Sequence, residues 1–187
     1  MDAEKIMAGV RQILEGIGED LDREGLQRTP ERVAEACAEI FGGIGRPLAD
    51  EIRTYHVDNH DEMIVARNIP FYSVCEHHLL PFFGRAHIAY IPDGNRITGL
   101  SNLVKMLEAA ARQPTIQERL TTEVCDTLLD ALEPLGVLVL VEAEHLCMTM
   151  RGVKKPGARI VTSAMRGQMR EEASRLEALQ HIHGARG

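Results

Sequence analysis

The chain has 187 residues, of which 44% are hydrophobic and 26% are charged, and its net charge at neutral pH is −7. This length and composition are typical of a globular protein with a sizeable core, and they exclude a disordered or fibrous chain. The negative net charge argues against nucleic-acid binding through a basic surface, because neutralising phosphates requires clustered Lys and Arg. We therefore expect no nucleic-acid partner.

The start of the chain and its apolar segments indicate the compartment. The stretch MDAEKIMAGV is acidic and lacks a long apolar region, so it does not resemble a secretory signal. The longest apolar stretch, GVLVLVEAEHL, is interrupted by glutamates and is too short to span a bilayer. We predict a cytoplasmic protein that makes no membrane contact, in which the four cysteines are thiols or metal ligands rather than disulfides.

The first quarter of the chain is predicted to be helical. A second helix is expected in RTPERVAEACAEIFGG, with Thr29 as its N-cap, Pro30 at its first position and Gly42 as its terminator. A first helix is indicated by apolar residues at helical spacing, namely Ile6, Val10, Ile13, Leu14 and Ile17.

From Met63 onward the pattern becomes that of strands, and it later alternates with helices. Ala86, Ile88 and Tyr90 are expected to share one strand face. The predicted elements in order are strands MIVARNI and GRAHIAYIP, helices GLSNLVKMLEAAARQ and TIQERLTTEVCDTLLDALEPLG, strands VLVLVEAEH, CMTMRG and ARIVTSAMRG, and helix REEASRLEALQHI. Because short links cannot form parallel crossovers, this order predicts an α+β fold with an antiparallel sheet.

We predict a single domain over residues 1–187, since the sequence contains no internal repeat or low-complexity tract. The best candidate for a linker is GGIGRPLAD, between the helical start and the sheet. The expected parts are amino-terminal helices in 1–45, a sheet core in 60–168 and a carboxy-terminal helix or tail in 169–187.

The segment SVCEHHLLPFFG places four potential ligands or proton carriers in consecutive positions. Cys75 and His78 lie in a predicted turn, and their spacing lets a thiolate and an imidazole reach one metal ion. By itself this spacing is equally compatible with a buried cysteine beside hydrogen-bonded histidines. A third ligand could come from His145 or Cys147 in EAEHLCMTMRG. A Cys/His/Cys set with an open fourth position would hold a catalytic zinc ion.

Several segments resemble, in order, the signatures of the GTP cyclohydrolase I family. They are YSVCEHHLLPFFGRAHIAYIP, ITGLSNL, QERL and EHLCMTMRG, with TPERVAEA resembling the helix upstream of them. Several signatures in register are more specific than a single motif. The resemblance implies the T-fold, in which an antiparallel sheet is backed by two long helices. It also implies a homo-oligomer of stacked pentameric rings with active sites at subunit interfaces.

The resemblance implies a reaction and the residues that perform it. The imidazole ring of GTP would be opened by hydrolysis, with release of formate and rearrangement of the ribose, to give 7,8-dihydroneopterin triphosphate. Cys75, His78 and Cys147 would bind zinc. His145 would be the principal acid/base and His77 its helper, because imidazoles titrate near neutral pH. The alternative role of either histidine is support of the zinc ligands, and it is the more serious alternative for His77.

The resemblance also assigns substrate contacts. Glu118 would bind guanine with Gln117 beside it, since one carboxylate can accept both the ring N–H and the exocyclic amine. Without the resemblance, Glu118 would be interpreted as a solvated helix residue. Ser101 would lie near the ribose and phosphates, or it would simply cap the following helix. Arg32 and Arg151 would contact phosphates.

The sequence departs from the family pattern at the polyphosphate end. Asn102 stands where Lys is common, Lys105 where Arg is usual and Glu35 where a basic residue is usual. Lys105 remains a candidate phosphate contact. Two alternatives therefore stay open, a related purine nucleotide cyclohydrolase with altered phosphate preference and a catalytically idle zinc-binding homologue with a regulatory role. Retention of His77 and His145 counts against the idle homologue.

Overall fold

The structure is a computed structural model that describes residues 1–58 and 60–184. It contains two compact units, Met1–Gly42 and Gly43–Gly187. None of the helices in these described ranges has both the length and the apolar character needed to cross a membrane.

The amino-terminal unit consists of helices α1 (Ala3–Gly16) and α2 (Thr29–Ile40), which confirms the helical prediction. Asp2 caps α1, because its carboxylate accepts a hydrogen bond from the Lys5 amide at 3.1 Å. The prediction that Thr29 caps α2 is wrong. Thr29 is already helical, and its hydroxyl donates to the Gly25 carbonyl instead of accepting from the first turn.

The second unit is organised around a five-stranded sheet with the order β5-β2-β3-β6-β7. Its pairs are antiparallel, as predicted, except for a two-residue parallel contact between β2 and β5. The strands β1 and β4 form a separate antiparallel pair. The strands are β1 (Thr54–His56), β2 (Ile64–Cys75), β3 (Pro81–Ile91), β4 (Arg96–Thr98), β5 (Pro114–Thr115), β6 (Gly136–His145) and β7 (Ile160–Gly167).

Four α-helices accompany the strands of the second unit in the described part of the chain: α3 (Leu100–Ala111), α4 (Gln117–Leu132), α5 (Leu146–Thr149) and α6 (Glu172–His183). The prediction of a strand in CMTMRG is wrong, because this segment begins within the single-turn helix α5. The ladders to β3 and β7 end at His145 and Ala143, so the residues that follow have no strand partner. Their backbone bonds locally instead, as in the 3.1 Å bond from the Met150 amide to the Leu146 carbonyl.

The main core lies between one face of the sheet and the long helices α3 and α4. Ala86, Ile88 and Tyr90 all point into it and are fully buried, which confirms that they share a face. The helices contribute Leu103, Met106, Leu107, Leu120, Val124 and Leu128. The observed architecture is therefore the predicted antiparallel sheet backed by two long helices.

A second, smaller core lies on the opposite face of the sheet, where α6 packs through Ala178 and Ile182. Beside it, the register between β2 and β3 shifts and Asn68 adopts a positive φ of 59°. The Asn68 amide donates to Nδ1 of His87 at 3.3 Å. The irregularity in β2 therefore provides a hydrogen bond to a buried histidine of the neighbouring strand β3.

Burial lowers the pKa of His87, and the positive charges of His183, Arg85 and Arg67 lower it further against the opposing effect of Glu142. Between this lowered pKa and the ordinary value near 6.5, the unfolded chain binds more protons than the folded chain. The contribution of His87 to stability should therefore fall as the pH drops below about 6.5 and stay level above it. Urea unfolding between about pH 5 and pH 8 measures this dependence.

The substitution His87→Gln should make this loss of stability at acid pH smaller. The exposed residue His56 offers a matched control, since His56→Gln removes a histidine from a strand surface. An unchanged pH dependence in His87→Gln would contradict the assignment.

Candidate metal centre and active site

Three predicted ligands converge at the carboxyl ends of β2 and β6. Cys75 is the last residue of β2, His78 lies in the turn after it, and Cys147 lies in α5 directly after β6. Their candidate ligand atoms all lie within 4.8 Å of one another. The Cys75 sulfur is 3.8 Å from Nδ1 of His78. Since β2 and β6 both run antiparallel to β3, their carboxyl ends lie at the same end of the sheet.

The turn between β2 and β3 fixes the spacing of the first two ligands. The amides of His78 and Leu79 donate to the Cys75 carbonyl at 3.3 and 2.8 Å, and the Cys75 amide donates to Leu80 at 2.9 Å. Leu79 adopts a φ of 53°, a conformation that L residues rarely occupy. The turn closes tightly enough to return the His78 side chain toward Cys75.

The donor set fits a divalent metal ion. Burial raises the pKa of the Cys147 thiol, and the neighbouring Cys75 raises it further. Two thiolates this close repel each other, and a bound cation removes that penalty. Two sulfurs and one imidazole nitrogen form the ligand chemistry of zinc sites, and three protein ligands leave a fourth position for a water or substrate.

His145 is the last residue of β6, two residues before Cys147, and is not a member of this group among the described residues. Its ring stacks on Phe82 with a centroid distance of 4.7 Å and an interplanar angle of 2°. Its Nε2 is 2.8 Å from Oε1 of Gln117. Burial lowers the pKa of His145, while the negative charge of Glu118 acts in the opposite direction. Phe82 thus contacts one face of the His145 ring, and Gln117 bonds to one of its edges.

Gln117 occupies a different environment from the one expected for a substrate contact. Gln117 is only 1% exposed to solvent. Its amide nitrogen donates to the Val141 and Ile160 carbonyls, both at 3.0 Å, and its amide oxygen faces His145. Direct substrate binding by Gln117 stays a prediction, and in this structure its amide is buried and bonded to groups of the protein.

His77 and Glu118 are both exposed. The His77 side chain is 65% exposed on the turn, and its ring meets that of His78 edge-on. Glu118 lies in the first turn of α4, where the helix dipole favours a carboxylate. The influence of Glu118 on His145 places its charge near the candidate site.

Ser101 and Lys105 are exposed one turn apart on α3, on the same side of the helix. The alternative interpretation of Ser101 as an N-cap is wrong, because Gly99 occupies that position and Ser101 is already helical. Asn102 is buried, and its amide donates to Thr98 Oγ1 at 3.3 Å and to the Arg53 carbonyl at 3.5 Å. A change at this position therefore alters packing as well as charge.

Arg151 is exposed, with one guanidinium nitrogen 3.4 Å from Nε2 of His78. It begins the exposed segment 151–159, which also carries Lys154 and Lys155. Arg32 and Glu35 are exposed on α2 of the amino-terminal unit, and their phosphate-related roles remain predictions.

Two features were not predicted from the sequence, the contact of Phe82 with His145 and the burial of Gln117. An aromatic residue in the alternating segment PFFGRAHIAYI was a signal for burial. It could not indicate which ring would stack on it.

Comparison with known proteins identifies the family. The model of the family described as GTP cyclohydrolase I matches residues 6–183. The chain belongs to the GTP cyclohydrolase I family. Together with the observed architecture, this membership confirms the predicted T-fold.

Similar members of the GTP cyclohydrolase I family come from several bacteria, and each is named GTP cyclohydrolase 1. The protein of Thermoanaerobacter pseudethanolicus is 55% identical over 184 residues, which cover 98% of each chain. The protein of Clostridioides difficile is 54% identical and covers 97% of each chain. The protein of Bacillus subtilis is 51% identical over 97% of this chain and 96% of its own.

Replacing Cys147 by Ser should remove most bound metal, because one of the two sulfur ligands is lost. Elemental analysis of purified protein should find about one zinc per chain in the parent and far less in the variant. Cys37→Ser is the matched control, since Cys37 lies on α2 in the other unit. Full metal content in Cys147→Ser would contradict the assignment of Cys147 as a ligand.

Proposed function

We propose that this chain is a zinc-dependent GTP cyclohydrolase I. It opens the imidazole ring of GTP by hydrolysis, releases formate and rearranges the ribose to give 7,8-dihydroneopterin triphosphate. One observation carries the proposal: Cys75, His78 and Cys147 converge within 4.8 Å, and His145, two residues before Cys147, is not one of them. Membership of the GTP cyclohydrolase I family supports the choice of substrate.

Cys75, His78 and Cys147 would hold the zinc ion. When bound, zinc supplies Lewis acidity toward water and substrate. Cys75 is buried and Cys147 is partly buried, so bulk water has little access to the sulfur ligands. The exposed His78 leaves one side of the group open to solvent and ligands.

His145 is the principal proton carrier in this proposal. Burial lowers its pKa, which favours the neutral imidazole that can accept a proton near pH 7. Glu118 partly opposes this shift, so the imidazolium formed in the reaction has a nearby counter-charge. His77, exposed on the same turn as His78, is the second proton carrier, or else it supports the metal ligands.

We assign recognition of GTP to further residues of the chain. The exposed carboxylate of Glu118 accepts hydrogen bonds from the guanine edge. Arg151, beside His78, provides a guanidinium for the phosphates. Ser101 and Lys105 approach the ribose and phosphates from one side of α3, and Arg32 is a further phosphate contact. In a family member of this kind, we expect cytoplasmic stacked pentamers with sites shared between subunits, and one domain over 1–187.

A related purine nucleotide cyclohydrolase with altered phosphate preference is the second candidate. It is favoured by the burial of Asn102, which removes a side chain from the surface where the sequence pattern expects a cation. The metal group and His145 are unaffected by that change, so ring opening would be retained while phosphate capture would weaken.

Incubation of the metal-loaded protein with GTP, GDP, GMP and guanosine tests these functions directly. Formate release and pterin fluorescence after oxidation should both appear with GTP. Comparable turnover of GTP and GDP would support the second candidate. If no substrate releases formate while zinc is bound, the chain is an idle homologue and the proposal fails.

Replacing His145 by Ala should keep the metal and reduce turnover by about 10²- to 10⁴-fold, the usual loss for a missing general acid or base. Metal content and formate release are measured on the same sample. His56→Ala serves as control, because His56 is exposed on β1. Loss of zinc in step with activity would show that His145 is a ligand or supports one.

A further inference from the structure

The amide of Gln117 is the centre of a buried hydrogen-bond network that reaches His145. Its nitrogen lies 3.0 Å from the Val141 carbonyl, 3.0 Å from the Ile160 carbonyl and 3.1 Å from Thr162 Oγ1. Its oxygen lies 2.8 Å from Nε2 of His145. In the described residues, no buried polar side-chain atom is left without a partner.

The surroundings determine which end of the amide is the nitrogen. Two backbone carbonyls can only accept hydrogen bonds, so the group facing them must donate. Rotating the Gln117 amide by half a turn would place its oxygen against the Val141 and Ile160 oxygens at hydrogen-bond distance. That arrangement is repulsive, so the amide oxygen must face His145.

The two threonine hydroxyls beside Gln117 agree with this assignment. Thr121 donates its single hydroxyl hydrogen to the backbone carbonyl of Gln117 at 2.7 Å. In the 2.6 Å contact between the hydroxyls of Thr121 and Thr162, the donor must therefore be Thr162. The Thr162 oxygen is then available to accept from the Gln117 amide nitrogen. The two hydrogens of the Gln117 amide nitrogen are then shared among three acceptors, and the directions of the bonds in the network agree with one another.

We infer that Gln117 is a positioning residue that holds neutral His145 in the tautomer protonated at Nε2. The Gln117 oxygen is an acceptor, so Nε2 of His145 must supply the hydrogen in their 2.8 Å bond. Nδ1 is then the nitrogen with a free lone pair. Phe82 fixes the plane of the ring, while Gln117 fixes which of its edges can accept a proton.

This inference rests on the proposed function for its catalytic meaning, since a fixed tautomer matters only if His145 transfers protons. With Nε2 bonded to Gln117, only the Nδ1 lone pair of neutral His145 is left for a hydrogen bond to the substrate. A ring free to exchange tautomers would present the required lone pair for only part of the time. Gln117 therefore acts on turnover rather than on capture of the substrate.

The experiment is ¹⁵N NMR of zinc-loaded protein labelled with ¹⁵N-histidine at mildly alkaline pH, in parent and variants. The His145 signals are identified by their loss in His145→Asn. The parent should show a neutral imidazole with hydrogen on Nε2 alone. Gln117→Met keeps the length of the side chain but removes the amide oxygen and the amide nitrogen. This variant should give a mixture of His145 tautomers.

Gln113→Met is the matched control, because the Gln113 amide makes one long bond of 3.5 Å to Glu123 and lies outside the network. It should leave the His145 spectrum unchanged. In steady-state assays, Gln117→Met should lower kcat roughly 10- to 100-fold with little change in KM for GTP and unchanged zinc content.

A parent spectrum with hydrogen on Nδ1 of His145 would overturn the inference, and this measurement does not require Gln117→Met to fold. A Gln117→Met protein that folds, as judged by its thermal unfolding, and keeps His145 entirely in the Nε2–H form would overturn it as well. If the tautomer is fixed in the parent and released in the variant, but neither protein releases formate from GTP, the positioning role stands and the proposed function fails.

Discussion

The pairing of β3 with β6 is the constraint on which the candidate site depends. The two strands run in continuous register from Ile91 opposite Gly136 to Phe82 opposite His145. Because a slip of one residue would turn every side chain to the other face, the buried faces of both strands fix this register. Gly84 permits the close approach, since a Cβ there would collide with the Glu142 carbonyl. The register brings the end of β6 to the turn that carries Cys75 and His78.

Around this junction, groups of similar chemistry acquire different tasks through their surroundings. His78 lies in an exposed turn next to two sulfurs, whereas His145 is half-buried, stacked on Phe82 and bonded to Gln117. Burial favours the uncharged forms of both Cys147 and His145. For the cysteine, that preference makes a bound cation favourable, while for the histidine it favours a free base. In the proposed function, one environment would serve both metal binding and proton transfer.

Much of the fold and part of the site could be predicted from sequence, because periodicity reports which side of an element is buried. This worked for Ala86, Ile88 and Tyr90, whose alternation has no other physical cause. It failed for CMTMRG, because a strand-like composition does not reveal whether a partner strand is present. It also failed for Gln117, whose partners lie 24 and 43 residues away at the Val141 and Ile160 carbonyls. Local patterns contain no information about such contacts.

The exposed segment 151–159 and the buried amide of Gln117 differ in what a substitution can disturb. Side chains on the segment contact solvent, so replacing them changes surface charge at little cost to folding. Replacing Gln117 removes its hydrogen bonds to two strand carbonyls and disturbs packing between α4, β6 and β7. Surface charge on the segment can therefore change among descendants of this protein without loss of the fold, whereas a change at Gln117 carries a cost in stability.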